Sequence, residues 1–526
     1  MTRGEVRALA IILLALAALK FGFNPSPIGD LTRDDGAYYY QMARHVSQGD
    51  GLLTSVSLYH WGLQVLPSPA FSYPLWPIML GIAGRFLDLG RAASLLPECL
   101  YFVSLALLFL LSRRIATMVE GLGPTGSIPI PRFETAVVVL LLLGLNPVFF
   151  VFTSLPYTEA LGFSIAFLSL LLVPSPAQES VAVRGVLATF LACLAFLVRP
   201  QLFGVCVGVV AGLAAGAAAH RRFRDVLLLS LGVLGLVLGA WTIYLSRVLS
   251  HFTVAALFDH TAVHENQALL RHLWLVPHAT FIDRVVDAGR GLMVAFDPLS
   301  RFSLVRSFGP AAYVVPAAVV VGAAAFLKKP RSRIDLSGPG IPPVISTVVA
   351  GCCCLGPVFL LHSFRWGEWF FQFRHGLPLI LLLIFAVPYV MQQSRRMRVA
   401  VILLATGSLL AESAFLYQAM RAPYDSPTEA QQALGRWIHS QPRSPLFLST
   451  AAAPLTAITG GRFHWMMCDD PGSQTRAYFR VVGVDYLVTT TADISCPFFV
   501  DFRNSLVEVR TFGTGPQRLT LWRSHE

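Results

Sequence analysis

Charged side chains are scarce in this chain: Asp, Glu, Lys and Arg make up 13% of its 526 residues, while 55% are hydrophobic. With a mean hydropathy of +0.62, that shortage excludes a string of soluble domains. It points to a polytopic membrane protein whose main solvent is the bilayer. Several motifs are missing as well. There is no Walker loop, dinucleotide fingerprint or nucleophile elbow, so soluble nucleotide donors are not indicated. No His-Glu-x-x-His or other recognised zinc pattern occurs, and no internal repeat supports an inverted-repeat transporter. Cysteine is sparse at eight residues. Cys99, Cys193, Cys206 and Cys352, Cys353, Cys354 lie in apolar stretches and read as small buried hydrophobes. Only Cys468 and Cys496 sit in polar sequence, where they can form a disulfide if that region lies outside the cell.

What is present is a series of apolar runs separated by short basic clusters. The net charge of +11 does not indicate nucleic acid, because the Lys and Arg residues are distributed as the positive-inside rule expects of cytoplasmic loops. Met1 to Arg7 carries two arginines ahead of the apolar run Ala8 to Phe23, which reads as an uncleaved first span with a cytoplasmic N-terminus. Further spans are expected at Pro97 to Leu111, Thr135 to Phe152, Glu159 to Val173, Val183 to Val198, Leu202 to Ala219 and Val226 to Leu245. Pro310 to Leu327, Ile341 to Leu361, Leu377 to Met391 and Val399 to Tyr417 complete a set of about eleven. Tyr73 to Leu89 carries two prolines and the charges Arg85 and Asp88, so it is expected to lie in the interface without crossing. With that choice every strong basic cluster between spans falls on one face.

The opposite face then receives a first loop over Asn24 to Arg91, the turn Thr153 to Glu159, a second long loop over Ser246 to Gly309, and the segment from Arg421. The fold expected is an all-α polytopic membrane module over 1–420 followed by a small extracytoplasmic α/β domain over 421–526. In that domain Leu446-Phe447-Leu448, Tyr486-Leu487-Val488 and Leu519-Thr520-Leu521-Trp522 read as strands.

The chemistry concentrates in Thr32-Arg33-Asp34-Asp35-Gly36-Ala37-Tyr38-Tyr39-Tyr40-Gln41-Met42-Ala43-Arg44. Two adjacent carboxylates precede aromatic and apolar residues at helical spacing, which predicts an acidic loop capping an amphipathic helix at a membrane surface. A pair of acids beside glycine is also an ordinary N-cap and turn; the tyrosine-rich helix and the Gly49-Asp50-Gly51 that follow favour a catalytic acid or base. Glu159, at the outer end of a span, is either a macrodipole partner or an ionisable group at membrane depth with a function. Arg199, in Val198-Arg199-Pro200, either snorkels or holds a lipid phosphate. Arg374 and His375 lie in a run of aromatic-belt residues with embedded cations, anchoring in the bland reading and phosphate-binding in the functional one. Asp259, His260, His264, Glu265 and His272 offer metal-ligand types in the second long loop, but a polar loop without metal fits better.

Taken in order and on one face, these segments resemble the GT-C superfamily of membrane glycosyltransferases, and are similar to the dolichyl-phosphate mannosyltransferase and lipid A aminoarabinose transferase group. Asp-Asp-Gly-Ala-Tyr-Tyr-Tyr followed by Gly-Asp-Gly looks like the acidic motif of the first external loop, and Tyr73-Pro74-Leu75-Trp76-Pro77 like the motif closing it. Ser154-Leu155-Pro156-Tyr157-Thr158-Glu159 looks like the second acidic motif, Val198-Arg199-Pro200 like an Arg-Pro step, and Arg374-His375-Gly376-Leu377-Pro378 like a late Arg-aromatic-x-x-Pro motif. The resemblance implies an inverting transfer of a sugar from a polyprenyl-phosphate-linked donor to an acceptor hydroxyl on a glycan, lipid or protein, in a bacterial inner membrane. It puts the general base on Asp35, with Asp34 as the alternative, and the second acid on Glu159. Arg374, Arg199 and His375 fall near the donor phosphate, and Tyr38, Tyr39 and Tyr157 beside donor or acceptor. Some members use a divalent metal and many do not; no metal ligands are assigned here. The competing function is a lipid or solute transporter with the acids as a proton relay, which expects acids near the bilayer midplane and paired broken spans.

Overall fold

The computed structural model describes residues 2–22, 34–57, 66–69, 74–121, 129–176, 178–250, 341–363, 377–392, 394–421, 427–466, 468, 472–515 and 517–525. The expected span at 310–327, most of the loop at 246–309, and Arg374 and His375 lie outside them.

Helix α1 (Arg3–Gly22), α4 (Leu89–Gly121), α5 (Arg132–Gly144), α6 (Pro147–Phe152), α7 (Glu159–Leu172), α8 (Val181–Val198), α9 (Phe203–Ala219) and α10 (Arg222–Ser250) form most of the apolar bundle. It is completed by α11 (Ile341–Ser363), α12 (Leu379–Met391) and α13 (Arg395–Arg421). Among the described residues, four segments are long and apolar enough to cross a membrane: Leu89–Glu120, Val181–Val198, Pro200–Ala219 and Arg222–Tyr244. Two boundaries differ from the sequence reading. The helix expected from Pro97 starts eight residues earlier, at Leu89, and runs through Pro97, as membrane helices tolerate. The span expected from Thr135 to Phe152 is two helices, because Asn146-Pro147 interrupts it.

Helix α9 meets α11 closely along a stripe of glycines. A Cβ at Gly204, Gly208 or Gly212 would stand within 2.4 Å of an α11 atom, so only a small residue every fourth position lets the two backbones approach. One end of the bundle gathers basic residues by direct contact. Arg114 donates to the carbonyls of Leu171 and Val173 at the end of α7, Arg113 pairs with Glu5, and Arg398 donates to Pro129 O at 2.6 Å.

At the other end lie α2 (Asp34–Gln48) and α3 (Leu75–Phe86). Twelve residues give α3 a length of about 18 Å, short of the roughly 30 Å hydrocarbon core. The tyrosine-rich face of α2 packs on α3 and on a sheet-bearing segment, so Tyr38, Tyr39, Tyr40 and Met42 are buried among protein side chains. That segment contains α14 (Glu429–His439), opened by a Thr428–Gln431 capping box, and α15 (Ala452–Thr459). Its strands are β4 (Leu446–Ser449), β5 (Arg462–Trp465), β6 (Tyr486–Thr490), β7 (Leu506–Phe512) and β8 (Leu519–Ser524). Three of these coincide with the runs read as strands from sequence.

The first loop supplies β1 (Leu53–Thr54), β2 (Val56–Ser57) and β3 (Ser68–Pro69). Strand β2 joins the distant sheet, whose order is β2-β5-β4-β6-β8-β7, through the parallel register Val56↔Phe463 and Ser57↔His464. Arg44 of α2 reinforces the junction by donating to the carbonyls of Thr456 and Ala457 in the last turns of α15. The first loop and the segment beyond 427 are therefore one packed unit, an association not foreseen from the sequence. Cys468 and Cys496 are disulfide-bonded across it.

Candidate functional site

The turn between α6 and α7 is the meeting point. Its backbone is held from three directions. Lys20 of α1 donates to the Phe150 carbonyl and to Thr153 Oγ1 at 2.9 Å. Trp76 of α3 donates its indole N–H to Pro156 O at 2.8 Å. From α2, Gly36 closes on the ring of Tyr157: a Cβ there would stand 3.0 Å from Cε2. Only a residue without a side chain fits without displacing the ring, so Gly36 fixes how near the acidic end of α2 comes to the turn.

Asp35 precedes that contact by one residue and is half-buried at the first turn of α2. Of Asp34 only the backbone is described, as the first residue of the helix. Tyr157 is 2% exposed and meets Phe152 edge to face at 4.9 Å. Two residues further, Glu159 opens α7 with no exposure at all. Its Oε1 accepts from Arg199 Nη1, and Arg199 is itself 6% exposed. Arg199 sits in extended backbone between α8 and the short Pro200–Leu202 turn, and its Nε donates to Gln201 Oε1 at 3.2 Å. Gln201 in turn donates to Cys354 O of α11 at 3.3 Å.

The sequence left Arg199 between snorkelling and phosphate binding; the structure turns it inward, onto Glu159. That pairing answers a physical demand, since either charge alone would be very costly at this depth. Leu161 and Val198, which flank the pair, share a cluster with Ala37, Tyr38 and Trp76. Asp35, Tyr157, Glu159 and Arg199 are thus carried by α2, the α6–α7 turn and the end of α8 into one region. Tyr38 and Tyr39 pack in the adjacent core, 8% and 5% exposed. Arg374 and His375 lie outside the described residues.

Lys20 is the residue sequence reasoning missed. It is wholly buried, with its ammonium 4.6 Å from the centroid of Tyr101 and 4.5 Å from that of Phe150. The available signal was a lone lysine in an apolar run, since an ionisable residue at membrane depth has to find partners. Gly49-Asp50-Gly51 proves to be a turn: both glycines have φ near +90°, and Asp50 Oδ2 lies 3.0 Å from His45 Nδ1. His45 Nε2 and Gln41 tie the following residues Ser55 and Thr54 back to α2 at 2.7 and 2.8 Å.

Among the described residues, no group of three or more His, Cys, Asp or Glu side chains converges as metal ligands would. Glu159, the buried carboxylate of the site, already answers a guanidinium. These residues do not form a cation's donor set, and no step is derived through a metal.

No protein-family model and no curated protein matches the sequence. Solved structures do resemble it. An oligosaccharyltransferase of Archaeoglobus fulgidus, in complex with zinc and sulfate, is similar over 96% of this chain and 73% of its own, with a TM-score of 0.57 and 13% identity. ArnT of Cupriavidus metallidurans bound to undecaprenyl phosphate aligns over 99% of both chains, with a TM-score of 0.55 and 13% identity. The arabinofuranosyltransferase AftD from Mycobacteria gives a TM-score of 0.54 at 15% identity; this chain is covered completely but spans only 40% of AftD. The protein therefore has the GT-C fold, in a multi-pass membrane chain.

Proposed function

We propose that the protein is a membrane glycosyltransferase that moves a sugar from a polyprenyl-phosphate donor to an acceptor hydroxyl on the extracytoplasmic face. The observation that carries the reading is the convergence of Asp35 on the turn bearing Tyr157 and the buried Glu159–Arg199 pair, at the opposite end of the bundle from the basic contacts. The GT-C fold supports it, as does the bound polyprenyl phosphate of the similar ArnT structure.

A sugar linked to a lipid phosphate already carries its leaving group, so the protein has two tasks. Asp35 takes the proton of the acceptor hydroxyl as its oxygen attacks C1. The C1–O bond to phosphate breaks on the opposite side, its electron pair stays on the phosphate oxygen, and the anomeric configuration inverts. Arg374, and Arg199 as oriented by Glu159, face the departing phosphate. The prenyl tail lies among apolar helices. With about eleven spans and the N-terminus in the cytoplasm, the segment beyond residue 421 is extracytoplasmic, which fits the Cys468–Cys496 disulfide.

The test is incubation of the purified protein with radiolabelled polyprenyl-phosphate sugars in membranes containing candidate acceptors. Release of polyprenyl phosphate matched by labelled product supports the reading. Movement of the intact lipid donor across the bilayer, without sugar transfer, refutes it in favour of transport.

A further inference from the structure

The segment beyond residue 427 holds a cleft of about 280 Å³ that the transfer reaction does not use. Four arginines from different stretches line it: Arg443 from the loop before β4, Arg476 and Arg480 from the helical stretch 472–482, and Arg523 from β8. The carboxylate among them, Asp485, binds the backbone N–H of Leu446 at 2.9 Å and Arg443 Nη2 at 3.3 Å, so it is committed to ordering the start of β4.

Four guanidiniums around one small cavity repel one another, and Arg476 and Arg480 stand about one helical turn apart, a spacing at which like charges are unfavourable. A ligand that brings negative charge relieves both repulsions, and planar guanidiniums suit carboxylate or phosphate oxygens. The walls are partly aromatic. Phe502 and Tyr486 line the cleft, with the Arg476 guanidinium 5.6 Å from the Phe502 centroid.

The bearing backbone is stiffened for the purpose. Residues Tyr478–Val482 form a π-helical turn, a conformation found often at functional sites. The Cys468–Cys496 disulfide and the Thr475 hydroxyl, donating to Phe498 O at 3.3 Å, bind the arginine-bearing stretch to the Phe502 side.

We propose that this cleft binds an anionic saccharide, a sugar unit carrying a carboxylate or phosphate, and so holds the acceptor beside the transfer site. The concavity and aromatic walls favour a sugar ring over a flat lipid surface, and the volume admits little more than one ring. The acceptor role rests on the glycosyltransferase reading; the binding itself does not.

The experiment is calorimetric titration of the full-length protein in detergent at low salt with a galacturonate hexamer, and in parallel with a neutral glucose hexamer. Tighter binding of the uronate by about tenfold or more is expected, falling by about tenfold in Arg480→Gln/Arg523→Gln and weakening with salt. Thermal unfolding of the same variant checks that it remains folded, and either single substitution serves if the double one does not. Equal affinity for the two hexamers, or unchanged uronate binding in the folded variant, overturns the proposal. So does capture of phosphatidylglycerol vesicles through these arginines in place of uronate. Because no turnover is read, failure of sugar transfer leaves this result standing on its own.

Discussion

Glu159 and Arg199 provide the sharpest energetic prediction. Both are buried, at 0% and 6% exposure, and each answers the other's charge across 40 residues of sequence. Glu159→Gln keeps the shape and removes the negative charge, which strands a guanidinium in a low-dielectric site. The cost of breaking a buried pair in this way is about 3–5 kcal/mol, or two to three and a half decades in the folded-to-unfolded ratio. Adding Arg199→Met removes the stranded charge while retaining an unbranched stem, so the double variant should recover most of the loss. Chemical unfolding in mixed micelles, run as a double-mutant cycle, should give a coupling above about 1 kcal/mol. A Glu159→Gln protein within about 0.5 kcal/mol of the parent, or two losses that simply add, would show that the pair does not hold the turn and would refute the reasoning.

Gly36→Val should push the end of α2 away from Tyr157, at a cost of about 1–3 kcal/mol for overpacking. A folded protein with transfer reduced by more than about tenfold is expected; full activity would mean that this contact does not set the position of Asp35. Cys468 and Cys496 close a separation of 28 residues, so Cys468→Ser should cost about 3.5 kcal/mol by loop-closure entropy, read as unfolding with and without reductant. Wild-type stability for that variant would contradict the estimate. His464, buried on β5 with no hydrogen-bond partner among the described residues, has its pKa lowered to about 4 by desolvation and then by the charge of Arg462. The neutral form is the folded one, so this contribution is complete above the unfolded value near 6.5 and is lost as pH falls towards 4. The shift corresponds to about 3 kcal/mol. His464→Phe should flatten the acid limb of a stability–pH profile, and an unchanged limb would assign it to other groups.

The local and the periodic were legible in the sequence. Tyr38, Tyr39 and Met42 at helical spacing gave α2, the prolines and charges of 73–89 pointed to a helix too short to cross, and alternating runs gave β4, β6 and β8. Glu159 and Arg199 were each visible as ionisable groups at span ends, yet their pairing was not, because nothing in a single sequence links positions 40 apart. Strand β2 has two residues and a partner strand some four hundred positions away, too short for a period and too distant for a turn signal. The glycine stripe of α9 was readable by its four-residue repeat, but its partner, α11, was not. Lys20 was hidden by the apolar run around it, and Asn146-Pro147, an ordinary breaker, was overridden by the hydrophobicity on both sides.

The central claim is that Asp35 removes the acceptor's proton. Asp35→Asn preserves size and removes the basic oxygen, so the rate of sugar transfer should fall by about a hundredfold to ten-thousandfold while unfolding behaviour and donor-lipid binding stay at the parent level. A folded Asp35→Asn protein that transfers sugar at the parent rate would contradict the account.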